Sequence, residues 1–147
     1  MASPSAPSPF DLLLPYQREW VLDQSRFKIW LKSRQIGGSL AAAFEVVADA
    51  IASGSDWIIL SAGERQALEF MEKVHRVAQI FADAIEQKTG NPYQPETKAS
   101  QIRFPNNARI LALPANSSTA RGYSANLVLD EFAFHENPED IWRAVYP

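Results

Sequence analysis

The chain has 147 residues, with 46% hydrophobic and 21% charged positions and a formal net charge of −3. That length supports one domain with a true core, and that charge excludes a uniformly basic nucleic-acid binder, so any DNA contact needs a local patch. The absence of cysteine excludes a disulfide scaffold and a thiolate metal site, and no apolar run approaches the roughly 20 residues that span a bilayer.

The first ten residues, MASPSAPSPF, hold no basic segment followed by an apolar one, so they are no secretory signal. Their Ser/Pro/Ala content predicts a disordered leader over residues 1–10. In DLLLPYQREWVLDQ, Pro15 suits a first helical turn, where its missing amide hydrogen costs nothing, and Tyr16, Trp20 and Val21 then share a face. FKIWLKS alternates, with Phe27, Ile29 and Leu31 on one side and Lys28, Trp30 and Lys32 on the other, which predicts a strand. RQIGGS reads as a loop, and SLAAAFEVVADAIA as a helix whose Leu40, Phe44, Val47 and Ile51 recur at helical spacing.

SGSD ends that helix, and Trp57 to Leu60 reads as a short buried strand. A second helix is predicted from about Glu64 to Gln87, with Leu68, Met71, Val74, Ala78, Phe81 and Ile85 in one stripe and Gly90 as its stop. TGNPYQPETK reads as a loop; SQIRF and ARILAL read as strands joined by the turn signal PNN, hence a hairpin. After the polar loop PANSSTARGYSA, NLVLDE is an apolar strand ending in two carboxylates, and PEDIWRAVY opens a helix. The order predicts an α/β domain with a largely parallel sheet.

Two features carry chemistry. KSRQIGGS lies between a predicted strand and a predicted helix, where backbone amides and a helix N-terminus can surround a phosphate. Against the pattern G-x-x-x-x-G-K-[ST], Lys32 takes the first glycine's place, Gly37 is the second glycine, Gly38 replaces the lysine and Ser39 keeps the hydroxyl. Lys32 has a stem flexible enough to return its charge over the loop, and Ser39 would reach Mg²⁺. About 90 residues later, Asp130 and Glu131 close an apolar strand, at the end of an open sheet where ligands bind. Asp130 would hold Mg²⁺ and Glu131 would orient and deprotonate the attacking water.

The segments PYQREWV, KSRQIGGS, LSAGERQALEFMEKV and ARGYSANLVLDEFAF, in that order, resemble the N-terminal ATPase region of tailed-phage terminase large subunits from about Leu12 to Pro147. The resemblance implies a P-loop NTPase of the helicase-like ASCE type, a three-layer α/β/α domain with a mostly parallel sheet, acting with ATP and Mg²⁺. It implies that Tyr16 stacks on the adenine and Gln17 bonds its edge. It implies that Lys32, Ser33, Gln35, Ile36, Gly37, Gly38 and Ser39 form the phosphate loop. Arg34 matches an arginine finger supplied from the same chain; such fingers are worth about 10³ to 10⁵ in rate. Arg121 and Gly122 match the RG before the acid strand, Gln66 reads as structural, and His75 and His135 match nothing and are expected in solvent.

The resemblance further implies double-stranded DNA as the track, a portal protein and a terminase small subunit as partners, a homo-oligomeric ring on the portal, and the bacterial host cytoplasm as the place of action. It places a coupling-motif strand between the phosphate-loop strand and the acid-pair strand, followed by a nuclease domain. The chain is therefore expected to be a partial ATPase domain over residues 11–147, incomplete at its C-terminus, with no nuclease activity. A helicase-like translocase and a non-catalytic nucleotide-binding prophage remnant are the competing readings; Gly38 favours the remnant. Lys32→Ala should weaken nucleotide binding, measured by equilibrium titration with ATP; unchanged affinity would remove Lys32 from the site.

Overall fold

A computed structural model of the protein describes residues 8–30, 37–116 and 124–145. After a 3-10 turn at Pro9–Leu12 come α1 (Pro15–Leu22), α2 (Gly38–Ser53), β1 (Trp57–Ser61), α3 (Glu64–Thr89), β2 (Glu96–Lys98), β3 (Gln101–Arg103), β4 (Arg109–Pro114), β5 (Asn126–Leu129), a 3-10 turn at Phe132–Phe134, and α4 (Pro138–Val145). The strands form one sheet in the order β2-β3-β4-β1-β5. β1 lies parallel to both β4 and β5, whereas β2, β3 and β4 are successively antiparallel. The sheet is thus mixed, parallel only across β4, β1 and β5 at one end.

Alternation along the strands sorts the core into two faces. Ile59, Ile110 and Ala112 join Phe44, Val47, Phe70, Met71 and Val74 of α2 and α3 in the larger cluster. Ile58, Leu60, Leu111, Leu113, Leu127 and Leu129 face the other way, toward Ile141 and Val145 of α4. The layers are therefore α/β/α, thick on one side and thin on the other. β1 is buried on both faces, which its unbroken Ile58-Ile59-Leu60 run anticipates.

The two long helices follow from sequence. α3 packs Ala67, Phe70, Met71, Val74, Val77, Ala78, Phe81 and Ala82 inward, a wider stripe than the one predicted, and ends where Gly90 adopts φ 71. α2 is buried more broadly than an amphipathic helix: Ala41, Ala43, Val46 and Ala50 join Phe44 and Val47 inside, while Leu40 is exposed. Its C-terminal end is fastened at the sheet edge where the parallel strands begin. The Asn106 amide donates to the carbonyls of Ala50 and Ile51 at 2.9 and 3.1 Å, and the Trp57 indole donates to Asp49 at 2.8 Å.

Four expectations change. Glu96–Lys98, read as loop, is a strand, because β3 offers it an open antiparallel edge. Residues 8–10, read as part of a disordered leader, belong to an ordered turn. Ser8 caps the first turn through its hydroxyl, and the Phe10 ring meets Phe81 edge-on at 5.6 Å; residues 1–7 lie outside the described residues. In α1 the inward positions are Gln17 and Val21, with Tyr16 left outside. The predicted strand Phe27–Ser33 is absent as far as it is described: residues 27–30 form no strand, and the remainder lies outside the described residues.

The alternation in that segment is real, but its polarity is inverted. Phe27 and Ile29 are 57% and 90% exposed, while Lys28 and Trp30 turn toward the helices. Trp30 stacks on Trp20 at 4.8 Å. The Lys28 ammonium sits 4.7 Å over the Trp20 ring, donates to the carbonyls of Trp20 and Asp23 at 2.7 and 3.1 Å, and pairs with Glu45 at 2.6 Å. One cation so ties the end of α1, the approach to the glycine loop and the flank of α2. A buried lysine needs such partners to remain charged, which explains why it outranks the neighbouring apolar side chains.

Burial pushes the Glu45 carboxyl above its ordinary range, with the Lys28 ammonium opposing. A carboxyl whose folded pKa is raised binds its proton more tightly when folded, so its contribution is complete at low pH and is lost as pH rises through the folded value. Wild type should therefore lose stability relative to Glu45→Gln as pH climbs from the ordinary glutamate range, read as diverging urea midpoints. Phe44→Ala should cost about 3–5 kcal/mol by urea unfolding, since the ring is fully enclosed and meets Phe81 at 5.9 Å.

Candidate functional site

The three parallel strands end together. β1 stops at Ser61, β4 at Pro114 and β5 at Leu129, and Ser61 is in register with Pro114 while Leu60 is in register with Leu129. Asp130 continues the ladder by one bond, its amide donating to the Leu60 carbonyl at 2.9 Å. The acid pair is thus held at the C-terminal edge of a parallel sheet, the edge where open α/β folds bind ligands. Strand alternation puts position 130 on the same face as Val128 and Ser61, the face covered by α2 and α3. Ser61 is fully buried, and its hydroxyl has no hydrogen-bond partner among the described residues. A buried hydroxyl left unpaired in protein marks a place where water, an ion or a ligand oxygen belongs.

Glu131 follows in the left-handed region, at φ 48 and ψ 48. A glutamate there is strained by about 1–3 kcal/mol, so the surrounding bonds must hold it. Those bonds are present: Phe134 N–H donates to the Glu131 carbonyl at 2.9 Å, and His135 N–H to the Phe132 carbonyl at 3.2 Å. The result re-aims the chain sharply and leaves Glu131 exposed beside the half-buried Asp130.

On the helix side, the described part of the loop is Gly37, Gly38 and Ser39. Gly37 is the N-cap of α2 at φ 78, and a Cβ there would collide with the Gln17 side-chain nitrogen. Gly38 is buried and Ser39 half-buried in the first helical turn, so Ser39 stands where the helix's unpaired amides gather. Gln17, expected to face an adenine edge, is instead only 4% exposed. Its Oε1 accepts from Leu14 N–H at 2.8 Å, and its Nε2 donates to the Gly37 carbonyl at 3.0 Å. Both ends of the amide are engaged within the protein, so Gln17 fastens the loop's exit to α1. Its neighbour Tyr16 is 43% exposed and meets Trp30 edge-on at 6.2 Å, which leaves ring surface open to solvent.

Lys32, Ser33, Arg34, Gln35 and Ile36, with Arg121 and Gly122, lie outside the described residues. Of the expected site, the structure thus assembles two halves: Gln17 with Gly37–Ser39 at the N-terminal end of α2, and Asp130 with Glu131 just after the C-terminal end of β5. Two residues that sequence reasoning left aside belong with them. Ser61 was passed over as part of a strand end, and the alternation from Trp57 onward would have placed it on the face of Asp130. His135, expected in solvent, is buried at 6% exposure, and its Nε2 lies 2.9 Å from the Asp130 carbonyl. His75 is likewise not free in solvent: its Nε2 is 3.3 Å from the Gln101 carbonyl.

Comparisons with known proteins identify the family. Residues 29–145 match the family described as terminase large subunit, T4likevirus-type, N-terminal. The chain is similar to the Mu-like prophage FluMu protein gp28 of Haemophilus influenzae, at 34% identity over 92% of this chain and 29% of that protein. It is similar to the probable terminase, large subunit gp28, of Escherichia phage Mu, at 32% identity over 92% of this chain and 26% of that protein. The terminase, ATPase subunit, of Escherichia phage P2 is 29% identical over 87% of this chain and 20% of its own length. The chain so spans less than a third of each of these relatives. Because the matched stretch runs from Ile29 to Val145, most of the chain, the chain belongs to the terminase large subunit N-terminal family.

Proposed function

We propose that this chain carries the ATP-hydrolysing part of a viral DNA-packaging motor, with the head of α2 and the acid pair converging on one magnesium-bound triphosphate. The observation that carries this reading is the Asp130–Glu131 turn, fastened by Leu60 at the C-terminal edge of the parallel strands and strained at Glu131. Family membership supports it, as do relatives whose names include a terminase ATPase subunit.

The donor set fits Mg²⁺ and a polyphosphate. Two carboxylates, the unpaired Ser61 hydroxyl and Ser39 on a helix N-terminus are oxygen donors of the kind a hard cation takes. Bound magnesium would supply neutralisation of phosphate charge during transfer. In this reading Ser39 and Asp130 hold the cation, and Glu131 accepts the proton of the attacking water. The backbone of Ser33, Gln35, Ile36, Gly37 and Gly38 surrounds the phosphates, Lys32 supplies the positive charge that Gly38 lacks, and Arg34 answers the charge developing on the transferred group. Tyr16 stacks on the base, and Gln17 keeps the loop's exit in place.

Double-stranded DNA is the track in this proposal, a portal protein and a terminase small subunit are the partners, a subunit ring on the portal is the working assembly, and the host cytoplasm is the setting. Among the described residues no helix is long and apolar enough to cross a membrane. One observation favours a second reading, nucleotide binding without turnover: Gly38 is buried where the phosphate-loop pattern has its lysine.

The test is phosphate release from ATP by the wild-type chain and by Glu131→Gln, with nucleotide affinity measured alongside. Loss of the general base should lower turnover by about 10²- to 10⁴-fold and leave affinity intact. Equal turnover in the two proteins would remove Glu131 from the chemistry; tight binding with no release by wild type would establish the second reading.

A further inference from the structure

We propose that His135 is the positioning residue of the acid pair: its ring clamps the Asp130 carbonyl and so sets the turn that aims Glu131. The proposal rests on the hydrolytic role of Glu131 given above and adds to it a residue that no sequence motif singles out.

His135 is buried, and the face of its ring is not what holds it. The Nε2 atom lies 2.9 Å from the Asp130 carbonyl. A carbonyl only accepts, so Nε2 must carry the hydrogen. The ring's Nδ1 is buried without a partner among the described residues. An apolar side chain would fill this position at lower cost, so the imidazole is explained by the one bond it makes. The ring is steadied by Phe132, edge-on at 5.2 Å, and Phe132 itself packs with Ile58, Leu60 and Ile141.

The bond falls where the backbone most needs holding. The Asp130 peptide is gripped at its amide by Leu60 and at its carbonyl by His135, and the next residue is Glu131 at φ 48. Among the described residues the other non-glycine with positive φ is Asn107, in the β3–β4 turn, a residue type that tolerates this conformation. Glutamate has no such local excuse. Without the clamp the Asp130 carbonyl loses that bond, the strain at Glu131 relaxes, and the carboxylate leaves its aimed position.

The experiment compares wild type with His135→Leu, His135→Gln and His135→Asn by two readouts: backbone chemical shifts of Asp130 to Phe132, and kcat and KM for ATP. A glutamine amide reaches the Nε2 position and an asparagine amide does not. His135→Leu should move Glu131 out of left-handed shifts and lower kcat by about 10- to 100-fold, with KM within about twofold. Gln should restore both readouts and Asn neither. Unchanged Glu131 shifts in His135→Leu, or no rescue by Gln, would overturn the proposal. So would altered shifts with unaltered kcat in a chain whose Glu131→Gln variant is impaired. Should His135→Leu fail to fold, the contrast of Gln with Asn decides. If wild type releases no phosphate, or Glu131→Gln leaves release intact, the functional reading fails, while the shifts still decide whether His135 holds the turn.

Discussion

The pairing of β1 with β4 on one side and β5 on the other is the constraint on which the rest of the molecule depends. β1 is the middle strand of the parallel three, with apolar residues on both faces and parallel neighbours on both edges. Its burial obliges helices to cover both sides of the sheet, since every apolar strand face needs a partner layer. α2 and α3 cover one face deeply and α4 covers the other thinly. The same pairing decides where the acids go. The ladder between β1 and β5 ends with the Asp130 amide on the Leu60 carbonyl, so the carboxylates emerge at the C-terminal edge.

A second constraint acts between α1 and α2. Lys28 is nearly enclosed and gathers carbonyls from α1, a tryptophan face and the Glu45 carboxylate. This hub stands just before the glycine loop, and Gln17 fastens the loop's far end through the Gly37 carbonyl. The loop is thus flanked by two polar tethers, both drawn from residues whose side chains would ordinarily face water. In the proposed reading, where this segment approaches a triphosphate, rigid attachment at its ends matters because positional error of even an ångström is costly in rate.

β5 has β1 on one edge and no strand on the other among the described residues. Its Leu127, Val128 and Leu129 are only half-buried, although the segment is as apolar as β1. The strand and the turn after it are therefore the least enclosed part of the parallel core, and the turn relies on local bonds from Phe134 and His135 in place of layers above it.

Much of the secondary structure was legible in the sequence. Helical spacing marked α2 and α3, Pro15 and Gly90 marked boundaries, PNN marked the hairpin, and unbroken apolar runs marked β1 and β5, because period and turn chemistry are local properties of the chain. The two halves of the candidate site, and the family, were also visible in short ordered motifs. Sheet order, the strand at Glu96–Lys98 and the burial of Gln17, Ser61 and His135 were not, because each depends on residues distant in sequence. The segment at Phe27–Trp30 makes the difference plain. Its alternation was readable, but hydrophobicity alone would turn Phe27 and Ile29 inward. Only the tertiary structure, by offering Lys28 a carboxylate, two carbonyls and an aromatic face, decided which side of that alternation turned inward.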